Sequence, residues 1–277
     1  MTALFHCEPV AANVTKITDP ADVYAYLIEG QHQAALLDTC CGVGNLKEFA
    51  EGLTQKPIIV LCTHGHLDHA GGTFGFDTVY LSKKDEALAN WHTTVDLRQE
   101  YVETKVEPGA ISKDLYVPQR DGGYLDFCDG QVFDLGGITL EAIALPGHTQ
   151  GTICILIREL RCLLLGDGCN IFTCLFMSDS TSIEEYKSNL QQLLLKHEDR
   201  YDTVWFSHGI STGDKTIVND CIDVCDEIMN GKADNIPFTF LGFQVLIAKA
   251  MHDDFSRVDG KAGNIAYISE KVYREHA

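Results

Sequence analysis

The chain alternates short apolar runs with turn residues, and the period of the runs changes along its length. "VYAYLIEG" (Val23–Gly30) and "AALLDTCCG" (Ala34–Gly42) are apolar stretches of strand length and predict a pair of strands. "GNLKEFAEGL" (Gly44–Leu53) switches to the helical period and puts Leu46, Phe49, Ala50 and Leu53 on one face. "KPIIVLCTHGH" (Lys56–His66) predicts a buried strand. "SKKDEALANW" (Ser82–Trp91) opens a helical stretch expected to reach Lys105, and the Pro-, Gly- and Asp-rich segment from Glu107 to Asp129 predicts irregular chain. Two hairpins follow, "QVFDLGGITLEAIAL" (Gln131–Leu145), with Gly136-Gly137 as its tight turn, and "GTICILIRELRCLLLGD" (Gly151–Asp167). "SIEEYKSNLQQLLLKHE" (Ser182–Glu198) reads as a helix with Ser182 as N-cap and Glu185 as its capping-box partner. "DTVWFSHG" (Asp202–Gly209) is a further strand, the stretch from Asp214 to Asn230 a helix, and "FTFLGFQVLIAKA" and "GNIAYIS" two last strands.

Strands in antiparallel-looking groups, separated by helices twice over, predict sheet packed on sheet with helices outside. That is an α+β fold, expected as one domain over residues 1–277. The stretch from 91 to 125 exceeds a minimal connection, so a lid or a contact in a homodimer is expected there. Residues 213–277 read as a C-terminal extension of the same domain, and their relation to any site is open.

Composition adjusts this picture in two ways. Lys and Arg number 21 against 40 Asp and Glu, a net charge of −19, which disfavours nucleic acid and anionic membrane as partners. No basic, apolar leader and no apolar run of about 20 residues is visible. With 11 scattered cysteines, a reducing, cytoplasmic setting is expected rather than a disulfide framework. Cys221 and Cys225, at i and i+4 on a helix, read as small buried groups, as do Cys40, Cys41, Cys62 and Cys169.

"THGHLDHAGG" (Thr63–Gly72) puts three of the 11 histidines and an aspartate into six positions, on the loop after a buried strand. Imidazoles two apart can face one point while Asp68 and His69 face a neighbouring one. Three further candidates stand at strand ends: His148 in "LPGHTQG", Asp167 in "LLLGDG" and His208 in "WFSHG". A carboxylate straight after an apolar strand is costly unless paired or metal-bound. Singly, each reads as a hydrogen-bonded structural group. Together they form the imidazole and carboxylate mix suited to zinc, iron or manganese. His6, His32, His92, His197, His252 and His276 have no motif context and read as surface or satisfied core groups.

The set resembles the metallo-β-lactamase superfamily: His64-x-His66-x-Asp68-His69, then His148, Asp167 and His208, with Gly71-Gly72 after the first motif and Pro-Gly-His-Thr at the second. The resemblance spans about residues 10 to 215. It implies a four-layer αββα sandwich with two divalent metal ions at one edge of the sheets, zinc expected, iron or manganese suiting the same ligands. It implies His64, His66 and His148 on the first ion, Asp68, His69 and His208 on the second, and Asp167 bridging. Asp38 is expected to brace the His64 loop as a hydrogen-bond acceptor behind the ligands. Two cations about 3.5–4 Å apart lower the pKa of a shared water from about 15.7 towards neutrality. The implied reaction is therefore attack of a bridging hydroxide on a small ester, thioester or lactone, with Asp68 orienting the hydroxide or moving its proton and Asp167 essential.

Departures narrow the class. Flavodiiron members carry Glu at the position of His66, and true β-lactamases usually lack the bridging Asp. RNA-processing members carry basic arms that a chain of −19 does not show. Glyoxalase-II-like and lactonase-like hydrolases remain, although "GCNIFTCLF" after Asp167 lacks the tyrosine frequent in lactonases. An iron persulfide dioxygenase on the same scaffold is the alternative, with a phosphodiesterase and a non-enzymatic metal binder behind it. Phe172, Cys174, Phe176 and Met177 follow Asp167 and are expected either to border the substrate pocket or to pack on the next helix.

Overall fold

The computed structural model describes residues 4–274; His276 lies outside them. The first sheet runs in chain order: β1 (His6–Ala11), β2 (Val14–Thr18), β3 (Tyr24–Glu29), β4 (Ala34–Leu37), β5 (Ile58–Leu61), β6 (Val79–Leu81) and β7 (Leu125–Asp126). It is antiparallel up to β4 and parallel from β4 to β7. Parallel neighbours need crossovers. These are α1 (Leu46–Leu53), α2 (Leu67–Ala70), α3 (Lys83–His92) and α4 (Val95–Glu103). The chain then forms β8 (Val132–Asp134), β9 (Thr139–Ala144), β10 (Ile153–Ile157) and β11 (Cys162–Leu164), leaves to make β12 (Thr173–Leu175) and α5 (Ile183–His197), and returns as β13 (Thr203–Trp205) and β14 (Thr212–Asp214). The second sheet has the order β14-β13-β11-β10-β9-β8. After α6 (Ile217–Met229) come β15 (Ile236–Phe240), β16 (Phe243–Ile247) and β17 (Ile265–Tyr267), which join β12 in a third sheet ordered β12-β17-β16-β15.

The core is layered as the αββα expectation requires. Tyr26, Ile28, Leu37 and Leu61 of the first sheet meet Ile155, Ile157, Leu164 and Trp205 of the second. The opposite face of the first sheet, with Leu27, Leu36 and Val60, packs on Leu46, Ala89 and Val102 from the helices. The far face of the second, with Cys154, Leu156 and Leu163, packs on Tyr186, Leu190, Val218 and Cys225 from α5 and α6. The central strands are therefore apolar on both faces, and each fully buried aliphatic side chain stabilises the stack by about 1.5–3 kcal/mol. Among the described residues no helix is long and apolar enough to cross a membrane.

Local chemistry explains where sequence pattern and structure part. The expected long helix breaks into α3 and α4, because Thr93 closes the first on Ala89 and Thr94 turns to ψ 148°. The segment after it is anchored: Arg98 is fully buried and donates to the carbonyls of Thr93, Cys41, Gly42 and Val117. Leu53 is 37% exposed, so the apolar face of α1 ends a turn early. "FTFLGFQVLIAKA" is a hairpin rather than one strand. Leu241 and Gly242 both have positive φ, the two-residue turn that suits strand twist. The third sheet was not foreseen, because β12 pairs in parallel with β17, which lies about 90 residues further along the chain.

Candidate metal centre

β4 and β5 end side by side, so Asp38 and Thr63 meet just beyond them. Asp38 Oδ1 accepts the Thr63 N–H at 2.7 Å, and Oδ2 lies 2.8 Å from both Thr63 Oγ1 and His69 Nδ1. One carboxylate thus fixes the start of the motif loop and orients its last histidine. Asp38 holds φ +61° to do so, a conformation that aspartate tolerates better than most residues. His66 caps α2, and that short helix carries Asp68 and His69. The two glycines after it are required by close approach. A Cβ on Gly71 would sit 2.2 Å from the Leu67 carbonyl oxygen, and one on Gly72 2.2 Å from that of Thr39.

The seven sequence candidates form three overlapping groups of donor atoms: His64, His66 and His148; His64, His69 and Asp167; Asp68, His69 and His208. His66 Nδ1 lies 3.0 Å from His64 Nε2 and 2.9 Å from His148 Nε2. The outer nitrogens decide what these inner ones carry. His148 Nδ1 donates to the Cys174 carbonyl at 2.9 Å, and His66 Nε2 donates to Asp179 Oδ2 at 3.0 Å. Neutral imidazoles so held present bare lone pairs to each other. Lone pairs facing at 2.9 Å repel unless a cation lies among them. For zinc–nitrogen bonds of about 2.0–2.1 Å, a tetrahedral edge is about 3.3 Å, close to the spacing seen.

Asp167 stands between the groups. Its Oδ2 is 3.7 Å from His148 Nε2, 3.5 Å from His69 Nε2 and 3.4 Å from His208 Nε2. Its Oδ1 is buried with no hydrogen-bond partner. A carboxylate oxygen left so is expensive, and a bound cation would satisfy it. His208 Nε2 also lies 3.5 Å from Asp68 Oδ2. Burial works against ionising Asp68 and Asp167, but the positive charge of His69 and His208, which nearby carboxylates hold above the usual imidazole range, outweighs it and holds both carboxyls below theirs; a divalent ion would take the place of that charge. Burial, reinforced by neighbouring imidazoles, pushes His148 down to about 4 and His64 well down, which keeps both in the neutral form that a metal needs.

The model of the metallo-β-lactamase superfamily matches residues 18–208, well over half of the chain. The chain belongs to that superfamily. Among curated relatives, the human acyl-coenzyme A thioesterase MBLAC2 is 32% identical over 158 residues, which are 51% of this chain and 56% of the relative. Hydroxyacylglutathione hydrolase GloC of Haemophilus influenzae is 27% identical over 145 residues, 50% of this chain and 62% of the relative. The chain thus spans little more than half the length of the first of these. Of solved structures, the stereoselective inverting sec-alkylsulfatase Pisa1 from a Pseudomonas species matches with TM-score 0.62 at 18% identity, covering 82% of this chain and 42% of Pisa1. A metallo-β-lactamase from Pontibacter korlensis matches with TM-score 0.55 at 17% identity, covering 79% of this chain and 97% of the other. These structural likenesses concern the fold.

Three polar residues beside these donor groups escaped the motif. Asp85, on α3, is 1% exposed and binds both ligand loops: Oδ2 accepts from Gly65 N and the Thr149 hydroxyl, Oδ1 from Gly151 N. Asp179 lies after β12. His92, expected to be surface or satisfied core, stacks edge-on to His66 with ring centroids 5.0 Å apart, and its buried Nδ1 has no partner. Burial pushes it down to about 4. None of the three has a neighbour in sequence that signals metal chemistry; only the helix α3 and the return through β12 bring them in. No cysteine joins the donor groups among the described residues, and Cys40, Cys41, Cys62, Cys169, Cys221 and Cys225 are all buried. Strand alternation in and beside β12 answers the two readings of the segment after Asp167. Ile171 and Leu175 pack into the α5–α6 core, whereas Phe172, Cys174, Phe176 and Met177 form a separate apolar cluster.

Proposed function

We propose that this chain is a metal-dependent hydrolase that cleaves thioesters of a small-molecule substrate, with two divalent ions, zinc expected. The observation that carries the reading is Asp167, with one carboxylate oxygen facing imidazoles of both groups and the other buried without a partner. His64, His66 and His148 would hold one ion, Asp68, His69 and His208 the other, and Asp167 would lie between. When bound, such ions supply an acidified water and a Lewis acid for the carbonyl oxygen.

The protein's own contribution is orientation. Asp38, Asp179 and the Cys174 carbonyl fix the tautomers of His69, His66 and His148, and Asp85 fixes the spacing of the His66 and His148 loops. Asp68 and Asp167 stay ionised and can accept a proton from a water held beside them. A thioester suits this site because a thiol of pKa about 8.5 departs as thiolate without a dedicated acid. The relatives named as thioesterase and as hydroxyacylglutathione hydrolase support that choice. The net charge of −19 weighs against nucleic-acid phosphodiesters. All 11 cysteines are free, which supports a reducing compartment such as the cytoplasm.

The test is elemental analysis of untagged protein purified without chelator, followed by rates on an ester, a thioester, a lactone and a phosphodiester. Zinc with fastest turnover of the thioester is expected. Iron alone, with oxygen uptake on a persulfide and no hydrolysis, would replace this reading by the dioxygenase.

A further inference from the structure

The third sheet lies outside the matched superfamily segment except for β12, which begins directly after the Asp167 loop. Its two faces differ. Thr173, Leu175, Ile265 and Tyr267 turn inward, with Leu175, Ile265 and Tyr267 in the α5–α6 core. The other face is apolar at every alternate position of each strand: Cys174 in β12, Ala266 in β17, Val245 and Ile247 in β16, Phe238 and Phe240 in β15. Ala266 of β17, one of the two inner strands, is fully buried in this cluster, and aromatic rings pack on one another around it. Phe172 lies 5.0 Å from Phe240 and 4.9 Å from Phe255, and Phe176 lies 5.3 Å from Phe243. Phe243 is nevertheless 51% exposed and Leu241 39%, so the described residues leave the outer end of this layer partly open.

The layer is continuous with the candidate metal centre. Cys174 supplies both a backbone carbonyl to His148 and a side chain to the apolar face. An apolar wall therefore starts at the donor cluster and runs outward across four strands, about 14 Å at the usual strand spacing. Its one hydrogen-bonding side chain among the residues of this cluster, the Cys174 thiol, is turned to the Phe172 carbonyl, so the wall is unsuited to a polar acyl group.

We propose that the aromatic face of the third sheet seats the acyl chain of the substrate, and that the β15–β16 hairpin makes the protein selective for thioesters of long, unbranched, apolar acids. The proposal rests on the thioesterase reading above, and the tests separate the two.

The first experiment measures kcat/KM of the metal-loaded protein on acetyl, hexanoyl and dodecanoyl thioesters of one thiol. Full burial gives about fourfold per methylene, so a gain of roughly two- to fourfold per methylene is expected over the part of the chain that contacts the wall. Phe243→Gln changes a half-exposed ring and should fold normally; it and Phe240→Ala should flatten that dependence, the dodecanoyl substrate losing most. Leu195→Ala, on the exposed side of α5, should leave it as it is. Calorimetry with the dodecyl and ethyl thioethers of the same thiol gives a readout free of turnover, and the dodecyl compound should bind at least tenfold more tightly in the wild type and lose that margin in Phe243→Gln. If the thioether margin appears but no thioester is cleaved, the acyl seat stands and the thioesterase reading falls. Cleavage at rates independent of chain length, with equal binding of both thioethers, overturns the acyl seat and leaves the thioesterase. A concentration-dependent dimer that Phe243→Gln dissociates, with flat chain-length dependence, also overturns it and makes the face a contact between copies.

Discussion

The two large sheets supply the same site in opposite ways. The first gives a contiguous set: His64, His66, Asp68 and His69 follow one strand, and the single carboxylate of Asp38 holds the stretch at Thr63 and at His69. The second gives His148, Asp167 and His208 singly, from loops after β9, β11 and β13. A contiguous set is positioned by local backbone, whereas a scattered set is only as well placed as the sheet that carries it. The candidate metal centre therefore depends on whatever ties the two together. In this chain that is Asp167 at the centre, Asp85 behind the loops and Asp179 across the top.

Removing the central tie should have the largest effect. Asp167→Ala is expected to lower kcat/KM by about a thousandfold, since a metal site supplies several kcal/mol of barrier lowering, and to reduce bound metal in elemental analysis. Full metal content with wild-type turnover would show that the two donor groups work independently.

Asp85→Ala breaks the link behind the loops instead. It leaves Gly65 N, Gly151 N and the Thr149 hydroxyl without their acceptor in a site 1% exposed. Unsatisfied buried donors cost about 1–3 kcal/mol each, with partial relaxation, so a loss of about 3 kcal/mol is expected in urea unfolding. Asp85→Asn keeps one acceptor and should recover part of it. An unchanged midpoint would mean that each loop holds its own geometry.

Asp179→Ala loosens a single ligand. His66 then loses the acceptor that keeps Nδ1 free to face the cluster, and groups of this kind are worth about 10–100-fold in metal affinity. Competition with a chelator reads this, and the fold should be unaffected because Asp179 is on a partly exposed loop. A drop confined to one of two ions would assign His66 to that ion.

The same contrast explains what the sequence made legible. The contiguous half is visible as a motif because local spacing dictates it, whereas Asp38 comes with the family resemblance and its place beside the motif only with the β4–β5 pairing. His148, Asp167 and His208 carry weak signals singly and become a set only through order and family resemblance. Asp85 and His92 sit in a helix whose pattern says nothing of metals, and Asp179 follows a strand whose partner, β17, is remote in sequence. The sandwich itself follows from apolar runs and turn residues. The third sheet does not, because β12 is three residues long and finds its partner only through a long-range parallel pairing.

The smallest expected effect checks that the second sheet is held by ties of its own, apart from the site. Glu141 on β9 accepts from Arg200 and Arg158, which join β9 to the end of β10 and to the chain after α5. The hydrogen bond from Arg200, with that from Arg158, outweighs burial and brings the Glu141 carboxyl down to about 2 from an ordinary 4.5. A carboxyl whose folded pKa is depressed stabilises the fold above its unfolded value and loses that contribution as pH falls through the folded one. The Glu141→Gln variant should therefore be less stable than wild type at pH 7, and the difference should shrink between about pH 4.5 and 2. Both arginines are partly solvent-exposed, so the loss is expected to be modest and to diminish in high salt. Metal content and kcat/KM should not move, because neither Glu141 nor the two arginines belongs to the donor groups. If metal affinity falls with Glu141→Gln, strain at the sheet edge reaches the scattered ligands, and the second sheet is the softer support of the two.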